Sequence, residues 1–279
     1  MLAKRLALLW CGTAHEGCVL KLALVTGGFR RLGAAIAARL ASEGWALALH
    51  CREAAEPDHD LAAILALHRT QWQGFACDLS DGAAVSALLP RIVKHFGEAP
   101  ELIVNNASRF VADDSVTLSH EELAVHMAVN LTAPVLLATG LAAQLAPDRT
   151  GAVINITDQR VRQPNGDQLS YTLSKQALAA ATITLARALA PGVRVNAVAP
   201  GLTLPTEEYR PAQMVALEAM MPLGRLPEPD QIADAVAWLA NAEAVTGQTI
   251  FVDGGASLKS FERDFVSVVR TFGTDGCVN

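Results

Sequence analysis

The 279-residue chain is 51% hydrophobic and 18% charged, with a formal net charge of −6. This balance is that of a globular chain long enough for one α/β domain. The negative charge argues against a nucleic-acid partner and an anionic membrane surface, so cations for a phosphorylated ligand must be local. Lys4-Arg5 followed by Leu6 to Trp10 looks like a short signal peptide, but the run breaks at Cys11-Gly12 and Glu16 follows. Residues 1–20 therefore read as an N-terminal extension. No apolar run approaches the roughly eighteen residues of a membrane span, which predicts no membrane partner. From there short apolar runs alternate with amphipathic stretches. Strands are predicted at Leu22–Val25, Ala46–His50, Gly74–Cys77, Leu102–Val104, Val153–Ile156, Val193–Val198 and Thr249–Val252. Helices are predicted at Leu32–Glu43, 57–69, 81–96, one long rod from Ser119 to Gln144, the stretch from Tyr171 to Ala190, and 229–241. Gly44 and Gly97 stand where helix-ending glycines belong.

This alternation implies a single doubly wound Rossmann domain, with a seven-stranded parallel sheet and helices on both faces. It covers residues 21–258. Residues 202–227 read as a mobile loop with short helical pieces. Residues 259–279 read as a C-terminal extension in which Phe261, Phe265, Val266 and Val269 are positioned to pack. The five cysteines, Cys11, Cys18, Cys51, Cys77 and Cys277, are odd in number and irregularly spaced. They fit a reducing, cytoplasmic compartment and no metal site.

Two motifs carry chemistry. Thr26-Gly27-Gly28-Phe29-Arg30-Arg31-Leu32-Gly33 lies between the first strand and first helix, where a doubly wound fold binds a dinucleotide pyrophosphate. Its glycines let backbone N–H groups approach phosphate oxygens at a helix N-terminus. The second strand ends His50-Cys51-Arg52 with no carboxylate at its tip. An arginine there suits the 2′-phosphate of NADP(H), as do Arg30 and Arg31 in the loop; Glu53 is the nearby exception. Asp78 and Leu79 are placed for the adenine, and Asn106 and Ala107 leave room for ribose. The second motif is Tyr171 and Lys175, four residues apart and so on one helix face. The ammonium is expected to lower the phenol pKa, making Tyr171 a proton donor or acceptor at a carbonyl or imine.

Taken together, these residues resemble the short-chain dehydrogenase/reductases over about residues 21 to 258. The motifs are the glycine loop, Asn105-Asn106-Ala107, Asn130, Tyr171-x-x-x-Lys175, Pro200-Gly201 and Val252-Asp253-Gly254-Gly255. The resemblance implies Asn130, Tyr171 and Lys175 as catalytic residues, with Asn130 holding a water that links Lys175 to solvent. It places Lys175, Ser108, Pro200 and Gly201 at the cofactor, and it implies a homotetramer built on the two long helices. Two departures stand out. Arg31 replaces the middle glycine of the loop, and Asp158 replaces the serine expected 13 residues before Tyr171. Both look like the pteridine reductases and related dihydromonapterin reductases, as do Ser108, Phe110 and Gln163-Pro164.

That subgroup implies NADPH-dependent reduction of a small pterin-type substrate. Tyr171 would be the proton donor, Asp158 would orient the ring or relay the proton, Phe110 would stack on it, and Arg31 and Ser108 would contact it. Other readings stay open. Asp158 caps the next turn, Phe110 is loop packing, or Thr157 stands in for the lost serine. At the level of activity, the alternatives are a general reductase of ketones such as 3-oxoacyl thioesters and a non-catalytic NADP-sensing protein.

Overall fold

The computed structural model describes residues 21–204, 211–261, 263, 264 and 267. Its centre is one sheet of seven parallel strands in the order β3-β2-β1-β4-β5-β6-β7. The strands are β1 Leu22–Thr26, β2 Ala46–Cys51, β3 Trp72–Ala76, β4 Leu102–Asn105, β5 Gly151–Ile156, β6 Val193–Pro200 and β7 Thr249–Val252. The inner strands β1, β4 and β5 are buried along their whole length, which is why they appear in the sequence as mainly apolar runs.

Helices α1 (Arg31–Ser42), α2 (His59–Leu67) and α8 (Pro229–Asn241) cover one face. Ile36, Leu40, Leu47, Ile154 and Val236 meet there in one apolar core. On the other face α3 (Gly82–Phe96), α5 (Ala133–Gln144) and α6 (Leu169–Ala188) close a second core around Leu88, Ile103, Leu137, Val153 and Leu185. Asp81, not Ser80, caps α3, accepting from the Ala83 and Ala84 N–H groups. Gly97 ends it at φ 87°.

Three expectations need correction. The rod predicted from Ser119 to Gln144 is α4 (His120–Met127) and α5 joined by a π-helical turn over Ala128–Thr132, and Asn130 sits in that turn. A π-turn inside an α-helix moves one residue out of register and is frequent at functional sites. The combined segment His120–Gln144, 25 residues of mean hydropathy 1.5, does reach the length and composition of a membrane span. One such helix is weak evidence of a membrane, and here Leu137, Ala138 and Leu141 are buried in the second core. Finally, the 202–227 segment holds a ten-residue helix, α7 (Pro211–Met220). Met221 and Leu217 are buried with Ala256, and Leu202, Met220 and Phe261 pack against them. Met221 thus anchors a small core instead of lying free in a lid, whereas Leu223 is exposed. The extension at residues 1–20 and the positions Phe265, Val266 and Val269 lie outside the described residues.

Candidate active site

Chain order reverses between β1 and β4, and ligands of such sheets bind outside the carboxyl ends of the strands at that switch point. A cavity of about 1080 Å³ opens there. One half is the glycine loop: Gly27, Arg30, Arg31, Leu32 and Gly33 line it. Gly27 has φ 63°, and a Cβ on Gly33 would lie 1.9 Å from the Gly27 carbonyl oxygen. The loop therefore closes on itself only with glycine at position 33. Arg31 takes φ 56°, a left-handed conformation suited to the glycine it replaces. Among the described residues, no side chain caps the first turn of α1 and no acid lies in it. Its N–H groups and partial positive charge face the cavity beside two arginines, which fits the pyrophosphate of a dinucleotide.

His50 also lines this half but is committed to the protein. Its Nδ1 accepts from the Gly27 N–H at 3.2 Å, and its Nε2 lies 2.8 Å from the Cys77 carbonyl. Those partners define the neutral Nε2–H tautomer, and burial pushes its pKa down. His50 lines the cavity while both of its ring nitrogens brace the loop. Thr26 is likewise buried. Its hydroxyl donates to the Val104 carbonyl and accepts from the Asn106 and Ala107 N–H groups. Asn106 Nδ2 donates to the Thr26 carbonyl at 2.9 Å, while Asn106, Ala107 and Ser108 line the cavity. Arg52, Asp78 and Leu79 lie along its edge. Arg52 is 70% exposed and only loosely paired with Glu53 at 3.5 Å. The Asp78 carboxylate accepts from the Ser80 N–H and hydroxyl, which hold its pKa down. Gly201 faces the cavity; Pro200 lies behind it.

The other half holds the second motif. The Tyr171 hydroxyl donates to Asp158 Oδ2 at 2.9 Å. Asp158 Oδ1 accepts from the Arg160 N–H at 2.9 Å, capping the short turn Gln159–Val161. Asp158 thus caps the next turn with one oxygen and holds the Tyr171 hydroxyl with the other. Phe110 is 54% exposed, and its ring meets Tyr171 edge-on at 4.9 Å between centroids. The Thr157 hydroxyl is buried and donates to the Val198 carbonyl at 3.1 Å, so it does not replace the missing serine as a donor to the cavity.

Lys175 is buried behind the cavity wall. Its Nζ donates to the Ile156 carbonyl at 2.7 Å and lies 5.7 Å from the centre of the Tyr171 ring. Burial lowers its pKa from 10.5 to about 8, and Asp158 works against that shift. The expectation that Lys175 lowers the Tyr171 pKa is overturned. Burial, and after it the neighbouring Asp158, raise the phenol well above its usual 10, with Arg160 partly opposing.

Asn130 is buried in the π-turn. Its side-chain N–H groups go to the Arg109 carbonyl at 3.0 Å and Ser174 Oγ at 2.9 Å, and its oxygen accepts from Arg109 N–H and Ser108 Oγ. The side chain clamps the Ser108–Phe110 loop to α6. His126, fully buried, steadies the same loop through the Val111 N–H at 3.3 Å.

Sequence reasoning missed several groups. The carboxylate of Asp113 accepts from the Ser170 N–H at 3.2 Å and so holds the start of α6. Arg160, Gln168 and Asp264 also line the cavity. No motif marks them; their partners are far apart in the chain.

The sequence pattern of the family described as Enoyl-(Acyl carrier protein) reductase matches residues 29–257. A 3-oxoacyl-[acyl-carrier-protein] reductase FabG of Pseudomonas aeruginosa is 34% identical over 240 residues, covering 84% of this chain and 96% of the relative. A short-chain dehydrogenase/reductase from Serratia marcescens superposes with a TM-score of 0.76 at 32% identity, over 85% of this chain and 98% of the other. This chain belongs to the short-chain dehydrogenase/reductase family. It is thus an oxidoreductase on the family's fold, and the seven-stranded parallel sheet agrees. FolM alternative dihydrofolate reductase 1 from Brucella canis, solved in complex with NADP, is 39% identical with a TM-score of 0.77, over 87% of this chain and 96% of the other. The resemblance to the pteridine reductase subgroup rests on that likeness as well as on Arg31, Asp158 and Phe110.

Proposed function

We propose that this chain is an NADPH-dependent reductase of a pterin-type substrate: a dihydropterin, dihydromonapterin or dihydrofolate. The observation that carries the reading is the 2.9 Å hydrogen bond from the Tyr171 hydroxyl to Asp158, at a cavity edge shared with the exposed Phe110 ring. A pterin ring presents N–H donors and a flat face. A carboxylate accepts from such donors in charge-assisted bonds, and an aromatic side chain covers the face. The glycine loop, the uncapped start of α1 and the arginines Arg30, Arg31 and Arg52 would hold NADP(H) and its 2′-phosphate. Bound there, the nicotinamide supplies the hydride. Tyr171, kept protonated by burial and by Asp158, supplies the proton to the reduced C=N bond. Asp158 orients the ring, Ser108 and Arg31 contact it, and Lys175 sits behind Tyr171 as the cation of the site. Exposed apolar side chains along α6, Leu173 and Ile183, suit the helix-paired tetramer proposed for the assembly.

The FabG relatives favour a second reading, reduction of 3-oxoacyl thioesters. The same core could serve it, but Asp158 would then face a carbonyl oxygen with no donor of its own. Following NADPH absorbance with dihydrobiopterin, dihydromonapterin, dihydrofolate and an acetoacetyl thioester separates the two. Turnover of a dihydropterin at the highest kcat/KM is expected. A thioester preferred over every pterin would refute the proposal. Tyr171→Phe should abolish reduction with NADPH binding nearly intact, and full activity in that variant would overturn the proton-donor role.

A further inference from the structure

Beside the catalytic pair lies a buried cation that the reaction scheme above does not use. Arg160 is 8% exposed. Its guanidinium donates through Nη1 to Gln168 and through Nη2 to Asp264, its Nε lies 3.7 Å from Asp158 Oδ1, and its Cζ lies 5.5 Å from the centre of the Tyr171 ring. Asp264 is 4% exposed although it belongs to the segment beyond the last strand. It is held in turn: its N–H donates to Asp167 at 2.7 Å, and Arg263 pairs with the same carboxylate at 3.2 Å. Asp167 and Gln168 immediately precede α6, which carries Tyr171 and Lys175. A chain of charges therefore runs from the C-terminal segment through Arg160 to Asp158 Oδ1, while Oδ2 accepts from the Tyr171 hydroxyl.

We propose that Arg160 and Asp264 are positioning residues of the reaction, with Asp264 reaching back to fix the Arg160 guanidinium and Arg160 fixing Asp158 against the Tyr171 hydroxyl. The geometry explains why an arginine is needed. Only a planar fork can serve Gln168, Asp264 and Asp158 together while lying over an aromatic ring. It also explains burial of two charges at a site where each costs free energy unless paired. The inference rests on the proposed role of Tyr171 as proton donor but not on the identity of the substrate.

Charged groups face Tyr171 from each element around it: Asp158 and Arg160 from the β5–α6 connection, Asp264 from the C-terminal segment, and Lys175 from its own helix. The two partners of the outer pair act on the phenol with opposite sign, Arg160 favouring its ionisation and Asp264 opposing it. The chain has two tyrosines, Tyr171 and Tyr209, so in a Tyr209→Phe background tyrosinate absorbance reads Tyr171 without any turnover.

The experiment is a set of rapid pH jumps on the full chain carrying Tyr209→Phe alone or with Asp264→Asn, Arg160→Met or Arg160→Lys. Asp264→Asn should move ionisation of Tyr171 to lower pH. Arg160→Met should move it no lower than the parent, and Arg160→Lys, which keeps the charge, should stay near the parent. In steady-state assays Asp264→Asn and Arg160→Met should each lower kcat about tenfold or more, as expected for loss of a charge-assisted hydrogen bond, with NADPH affinity unchanged. A Tyr171 ionisation that does not respond to Asp264→Asn, or that shifts the same way in Asp264→Asn and Arg160→Met, overturns the proposal. So does unchanged kcat in both. If the wild-type chain reduces a thioester but no pterin, the substrate reading fails while the titration still decides this one.

Discussion

Burial of Lys175 makes a prediction that needs no substrate. The amine is 2% exposed, and its pKa falls from 10.5 to about 8. At about 1.4 kcal/mol per pH unit, charging it in the folded chain costs about 3 kcal/mol more than in the unfolded chain. The folded value lies below the unfolded one. Between pH 8 and 10.5 the unfolded chain therefore holds a proton that the folded chain lacks, and this group makes stability rise with pH across that window. Below pH 8 the whole cost is present. Lys175→Met keeps an unbranched side chain of similar reach and removes the charge. It also leaves the Ile156 carbonyl without the donor it has at 2.7 Å, a loss of about 1–3 kcal/mol at every pH.

At pH 7 the variant should thus be as stable as the wild type or more stable by up to about 2 kcal/mol. By pH 10.5 it should be the less stable of the two. The advantage lost across the window is about 3 kcal/mol, or roughly 6–12 °C of relative Tm for a domain of this size. Denaturant or thermal unfolding of both proteins from pH 7 to 10.5 measures it. All other titrating groups are common to both and cancel in the difference. Parallel stability curves would refute the claim that Lys175 carries a charge against burial.

Three further substitutions test the site. Arg31→Gly should relieve a left-handed non-glycine residue, a strain of about 1–2 kcal/mol, against about 0.5–1 kcal/mol of added chain entropy. A Tm gain of roughly 0–6 °C should accompany NADPH binding weaker by about tenfold, and a lower Tm would show that φ 56° is unstrained. Arg52→Ala should raise KM for NADPH far more than for NADH, since only the former carries the phosphate; equal changes would remove Arg52 from the cofactor site. Asp158→Ser should lower kcat/KM for dihydropterins by about tenfold or more, the worth of a charge-assisted bond, and affect a simple ketone less. A uniform loss across substrates would make Asp158 structural.

The strands and most helices were legible because their signals are local. Leu22 to Val25 and Leu102 to Val104 are apolar without interruption, and Val153 to Ile156 is broken only by the buried Asn155, because both faces are covered. β3 starts earlier than predicted, at Trp72, because an edge strand is half exposed and its Gln73 does not look apolar. The π-turn at Ala128–Thr132 was invisible, since its residues are ordinary helix formers and the extra residue per turn leaves no mark on composition. Site residues were found where a motif names them. The bracing partners of His50, Thr26 and Asn130 were not legible because a polar side chain in a binding motif looks the same whether it faces the ligand or braces the loop. Arg160 and Asp264, 104 positions apart, carry no local signal at all.

The error over Tyr171 says most about the chemistry. Spacing places Lys175 and Tyr171 on one helix face, and the i, i+4 rule ends there. The structure adds a carboxylate from a different element, which accepts the phenol's hydrogen bond, and a carbonyl from β5, which accepts the ammonium's. In a serine-bearing site the partner of the phenol is neutral and leaves its acidity to the lysine. An aspartate instead holds the proton on Tyr171 until something else occupies the carboxylate. On the proposed function that something is the substrate's own N–H donors: each bond they make to Asp158 weakens its field at the phenol. Tyr171 then becomes the better acid when a nitrogen heterocycle is seated and stays a reluctant one when a ketone is. Asp158 in this view sets substrate choice through proton supply as well as through contact. That is why Asp158→Ser should narrow the gap between pterin and ketone instead of only lowering activity.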